Sequence, residues 1–253
     1  MRGKLIVLVL LLAGCGKGAK PADTVPITGS AAVVDSLWKT GQEHFRQGQW
    51  AKSAAEMERL LLEIAPGDSR IINIHFFLGE IYFAQNDHIR AAREFRRVSD
   101  STSSSPLAPD ALMRAGDVYA DLWRRPELDP SYGQTALATY EELLNRYPDA
   151  PAAPRTRERI ATLNNQFAEK AFKSAMYYFR LKAYDSAILY FRDLLATYPR
   201  ADVASAALIK LIEAYHAIGY AEEEKETCGY FRQNHPGAPG IDRVCPVPAD
   251  TTG

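Results

Sequence analysis

The sequence is poor in the residues that perform chemistry. It holds three cysteines and five histidines in 253 residues. His44, His75, His88, His216 and His235 are scattered, with no H-E-x-x-H and no Cys/His spacing of a metal site. No G-x-S-x-G nucleophile elbow occurs. The expectation is a non-enzyme that needs no metal and no diffusible cofactor. Charge of one sign is also missing, with 30 Lys and Arg against 31 Asp and Glu. Nucleic acid as the main partner would favour a basic face, so that class is set aside. Beyond the N-terminus no run of eighteen or more apolar residues exists, so no later segment reads as a membrane helix.

What is present starts at the first residue. Arg2 and Lys4 precede a short apolar run, Leu5 to Leu12, and the small residues Ala13 and Gly14 lead to Cys15. This is the layout of a cleaved secretory signal, too short to span a bilayer stably. Leu12-Ala13-Gly14-Cys15 resembles the lipobox of bacterial lipoproteins. That resemblance implies a diacylglycerol on the Cys15 thiol, cleavage before it, and an acyl chain on the new amine. Gly16 rather than Asp follows, which in such lipoproteins points to the outer membrane. The GCGKG stretch lacks the strand, helix and spacing of a phosphate loop. Residues 1–14 therefore read as signal. Residues 15–30 read as a lipidated, flexible tether, small, polar and proline-bearing, with a reach of about 20–25 Å. Removing residues 1–14 leaves 28 basic against 31 acidic side chains.

From Ala31 the apolar pattern is helical and repeats about every 37 residues. The second helices carry Ser53/Met57/Leu60, Ala91/Phe95/Val98, Ala136/Tyr140/Leu143, Ala187/Phe191/Leu194 and Glu224/Cys228/Phe231 at matching offsets. Pro148, Pro199 and Pro236 end three of them. The first helices carry a small residue with an aromatic three positions on, as in Gly79/Tyr82, Gly116/Tyr119 and Ala175/Tyr178. A small residue lets the partner helix approach, and the aromatic fills the neighbouring groove. One such pair buries too little alone, so pairs stack. The expected fold is an all-α tetratricopeptide-repeat solenoid of five helix pairs over residues 31–236, with an irregular tail over 237–253.

Two departures mark the repeats. WRRPELDPSYG (123–133) is inserted between the helices of the third pair. After Pro148 the stretch 152–178 holds no breaker beyond Pro154 in its first turn, which predicts one long helix of about 30 residues, about 45 Å. With the lipobox, GQW (48–50), DPSYGQTALATYEELLNRYPDAP (129–151), RERIATLNNQFAEK (157–170) and MYYFRLKAYDSAILYFRDLLATYP (176–199), these features resemble the BamD (ComL/YfiO) family of outer-membrane assembly lipoproteins. The resemblance implies a periplasmic scaffold on the outer membrane. Such a scaffold binds a BamA-like partner, works beside other assembly lipoproteins and receives unfolded β-barrel substrates. SDSTSSSP (99–106), where the second repeat lacks its aromatic-Pro ending, and Glu224 in place of the usual alanine depart from the pattern. The same anchor and repeats fit a second reading, a pilotin for a secretin or an adaptor for cell-wall hydrolases. The long helix favours the first.

Trp38 and Phe45, and Phe76 and Phe83, lie three before and four after the small residue of repeats one and two. Each pair is two turns apart on one helix face. They are expected to line a groove for aromatic-rich peptide, the alternative being packing between repeats. Arg90, Arg93 and Arg97 share one side of a helix and read as a solvated face, or as a surface for an acidic partner or lipid phosphate. Tyr190 and Arg192 are the candidates for contact with the BamA-like partner. Cys228 and Cys245 are the two thiols left for a disulfide, which an oxidising periplasm permits; both bridged and unpaired states remain open.

Overall fold

The computed structural model describes residues 29–101 and 105–246; the signal, Cys15 and the tether as far as residue 28 lie outside them. Helices alternate as antiparallel pairs. α1 (Ala31–Arg46) pairs with α2 (Trp50–Glu63), and α3 (Arg70–Ala84) with α4 (His88–Ser101). α5 (Ala108–Leu122) pairs with α6 (Ser131–Arg146), α7 (Ala152–Arg180) with α8 (Tyr184–Thr197), and α9 (Ala204–Ile218) with α10 (Ala221–Asn234). The described residues contain no strand. This is the tetratricopeptide-repeat solenoid that the sequence period implies.

The repeat residues explain the pairing. A Cβ on Gly79 would come within 2.6 Å of the Phe95 ring, so only hydrogen fits there. Gly116 stands in the same relation to Tyr140. The Ser53 hydroxyl donates to the Gly41 carbonyl at 2.8 Å, joining α2 to α1. Met57, Phe95, Tyr140, Phe191 and Phe231 are all buried. Their apolar contacts fall into four clusters in chain order, not around one centre, and neighbours share helices. Between paired helices the chain turns through a left-handed residue seven positions after the repeat's small residue. These are Gly48 (φ 68°), Asn86 (φ 61°), Lys182 (φ 60°) and, after Ile212, Gly219 (φ 77°). In the third pair that position is Trp123, with φ −116°, and the chain leaves on its insertion instead.

The insertion is packed tightly. Trp123 is fully buried, and its ring lies 4.4 Å from that of Phe167 in α7. A Cβ at Gly133 would strike the indole. Gln166 donates to the Trp123 carbonyl, and Lys170 Nζ donates to the carbonyls of Pro126 and Leu128, each at 3.0 Å. α7 runs 29 residues as a single helix, about 43 Å. Its first half packs on the third pair through Leu163 and Phe167, and its second half on α8 through Phe172 and Ala175.

The expected irregular tail differs in one segment: Ile241–Val244 form a helical turn, α11. Gly240 enters it at φ 87°, and Ile241 buries against the cluster of Leu208, Ile212 and Phe231. Cys228 and Cys245 are joined by a disulfide with Cα atoms 5.6 Å apart. Arg243 adds an ion pair to Glu213 of α9 at 2.8 Å. The tail thus covers apolar surface that a sixth pair would otherwise cover. Reduction of this bridge is expected to cost about 3 kcal/mol. Thermal melts with and without reductant, beside Cys228→Ser, read it; superimposable curves would contradict the assignment.

Candidate partner-binding surfaces

The four aromatics of the first two pairs do not form one pairing. Trp38 and Phe45 close on Phe77 from two sides, at 5.5 and 5.3 Å between centroids. Phe45 also meets Trp50 at 5.3 Å, and Phe76 packs edge-on against Phe95 at 5.4 Å. Phe83 sits between the His88 ring at 5.7 Å and the Arg114 guanidinium at 4.9 Å. All four are half-buried, so packing between helices takes part of each ring and leaves part facing solvent. Phe77, which the spacing argument passed over, is the hub of the first contact. An interior period marks it as core and gives no sign that two groove residues converge on it.

A polar ladder links successive first helices. Arg114 of α5 binds Glu80 of α3 and reaches Asp117 at 3.2 Å. Asp117 accepts from Tyr140 at 2.8 Å and from Arg159 of α7 at 3.2 Å. Burial, and then the Asp117 carboxylate, push the Tyr140 phenol well above its ordinary range, so it remains a donor. These rungs fix neighbouring repeats to each other, which a scaffold with shaped surfaces requires.

Tyr190 and Arg192 lie on opposite flanks of α8. Tyr190 stacks on Tyr178 at 4.9 Å and 13° between planes. With Tyr177, Pro126, Lys170 and Lys173 they wall a cleft of about 400 Å³ beside the insertion. The Tyr190 hydroxyl, bonded to that of Tyr178, raises the Tyr178 pKa. Arg192 instead faces α9 and α10, lining a second cleft of about 500 Å³ with Leu195, Glu226 and Tyr230. Successive even positions on a helix diverge by about 200°, which is why two residues quoted as one surface serve two. Tyr177 and Tyr190, both on the wall of the first cleft, are exposed.

The arginines of α4 also rearrange. Arg90 turns away to Asp87 and lies 4.3 Å over the Tyr82 ring. Arg96, which the sequence reading left out, joins Arg93 and Arg97 around a separate cleft.

Stacked repeats with open clefts define a tetratricopeptide-repeat scaffold. Among the described residues no three His, Cys, Asp or Glu side chains cluster as a metal site, and no helix is long and apolar enough to cross a membrane. The chain belongs to the YfiO family of outer membrane lipoproteins, whose model matches residues 31–229. The outer membrane protein assembly factor BamD of Caulobacter vibrioides is 24% identical over 233 residues, spanning 92% of this chain and 75% of that protein. BamD of Vibrio cholerae is 33% identical over 103 residues, 41% of this chain and 43% of that one. A crystal structure of a thermophilic tetratricopeptide-repeat protein from Thermus thermophilus aligns over 83% of this chain and 96% of that one, at 17% identity and a TM-score of 0.37.

Proposed function

We propose that this protein is a lipid-anchored scaffold of outer-membrane β-barrel assembly, held by Cys15 on the periplasmic face. The observation that carries the reading is the extent of the family match: residues 31–229 take in the first four helix pairs and most of the fifth. The tyrosine-walled cleft around Tyr190 is the docking site for a folded, BamA-like partner. It is rigid, because Lys170 and Gln166 tie its insertion wall to α7, and it presents tyrosine rings beside Lys170 and the Lys173–Glu127 ion pair. The exposed edges of Trp38, Phe45, Phe76 and Phe83 receive aromatic-rich segments of unfolded barrel substrates. Arg192 acts on the other flank of α8, toward the last pair.

Photo-crosslinkers placed separately at Tyr190 and Phe83 in cells test this. The first is expected to trap a BamA-like protein and the second unfolded barrel proteins. Trapping of a secretin or a cell-wall hydrolase at both positions would instead assign the pilotin or adaptor role.

A further inference from the structure

Paired helices give the solenoid two edges, and one of them carries the tether. The Gly29 amide donates to the Glu63 carbonyl at 2.8 Å, so the start of α1 and the end of α2 share an edge. Arg70, opening α3, pairs with Asp35 of α1 at 2.8 Å, which brings α3 to the same edge. α4 runs antiparallel to α3, and His75 meets Glu94 at 2.7 Å. The second half of α4 therefore ends there too. Cys15 lies fourteen residues before Gly29, a spacer with an r.m.s. reach of about 20 Å. This edge is held near whatever surface Cys15 is anchored in.

A basic cleft runs from that edge, at Ile71 and Ser101, inward along α4 to Arg93, eight residues before the helix end. Its volume is about 550 Å³, with Ile71 as an apolar wall and Arg93, Arg96, Arg97 and His75 around it, beside Asp100 and Ser101. Arg97 is neutralised by Glu94 at 2.8 Å, and Arg96 by Glu142, with Asp100 4.0 Å away. Burial pushes the Glu94 carboxyl up, but the bonds from His75 and Arg97 outweigh it and hold the group ionised, below its ordinary value. Arg93 is exposed and has no ion pair among the described residues. It is a guanidinium with five donors and no acceptor in the fold. Two apolar side chains stand exposed along the same edge, Leu62 at 80% and Val33 at 37%.

We propose that this edge lies on the membrane, with the cleft at Arg93 taking the phosphate of an anionic phospholipid headgroup. Leu62, exposed near the end of α2 on the same edge, inserts at headgroup depth. Guanidinium matches phosphate in a bidentate fork, and exposed apolar residues next to cations are the composition of an interfacial contact. The consequence is orientation: a lipid on a flexible spacer fixes distance alone, whereas a second contact fixes which face of the solenoid looks away from the bilayer. The inference rests on the anchoring role given to Cys15, but its test does not use the acyl chains.

Mature chain carrying Cys15→Ser, and so unacylated, is sedimented with vesicles of phosphatidylcholine alone or of phosphatidylcholine with phosphatidylglycerol. Partitioning is expected on the anionic vesicles only, to weaken about five-fold in Arg93→Gln, and to fall as salt rises. Lys182→Gln, at the exposed turn between α7 and α8 on the opposite edge, is expected to leave it unchanged. Melting curves confirm that each variant is folded. Equal partitioning on neutral vesicles, unchanged binding in Arg93→Gln, or an equal loss in Lys182→Gln would overturn the proposal. Displacement by millimolar inorganic phosphate would show a site for free anions and overturn the membrane occupant. Failure of lipidation at Cys15 shows separately, as absent palmitate in the wild-type protein.

Discussion

Trp123→Ala is expected to lower stability by about 3–5 kcal/mol, the usual cost of emptying a buried aromatic site. Trp123 is fully excluded from solvent and stacked on Phe167. Gly133 has no side chain that could fill the space, and the ring is fixed by contacts from two other elements, so the site cannot close by a small shift. The effect should be local in an informative way. A solenoid is stabilised by nearest-neighbour interfaces, and this tryptophan sits where the third pair meets the long helix α7. Loss of the ring is therefore expected to divide one thermal transition into two, with the first three pairs and the last two melting apart. Gly133→Ala, which drives a Cβ into the same indole, should produce the same split. Calorimetry reads both. A single, unshifted transition in Trp123→Ala would show that the insertion is a passive loop.

Cys15→Ala is expected to abolish palmitate incorporation altogether. On the proposed reading the Cys15 thiol accepts the diacylglycerol, and residues 1–30 hold no second cysteine to substitute for it. Each buried methylene adds about 0.8 kcal/mol of membrane affinity, and stable anchoring takes more than one chain. Loss of the whole set therefore outweighs anything that a single headgroup contact at Arg93 could restore. The variant should leave the membrane fraction once its signal is removed, and metabolic labelling with an alkyne palmitate measures the modification directly. Undiminished labelling in Cys15→Ala would place the lipid elsewhere. The same labelling of wild-type protein also decides whether the tether places the basic edge near a bilayer, on which its orientation depends.

The amino-acid order alone determined the helix pairs, their number, the residues at their contacts and the unbroken run that became α7. The reason is physical: a helix face is encoded every three or four residues, and repeated stacking returns the same small and aromatic residues to the same contact. That Gly79, Phe95, Gly116 and Tyr140 lie at helix contacts was legible for that reason; that each glycine meets the aromatic of its own pair was decided by packing. Contacts between elements with no shared period were not. Trp123 reads as the first residue of an insertion, and only packing against Phe167, forty-four positions on, makes it core. Trp38 and Phe45 share a face in the sequence, yet tertiary packing decided that Phe77 would take part of both rings. Tyr190 and Arg192 were separated by the helix turn, and Arg96 entered the cleft that Arg90 left because Asp87 and the Tyr82 ring held Arg90 elsewhere. Local periodicity specified which side chains are buried. The superposition of one repeat on the next, a relation between residues far apart in the chain, decided which surfaces remain open and which edge the tether leaves from.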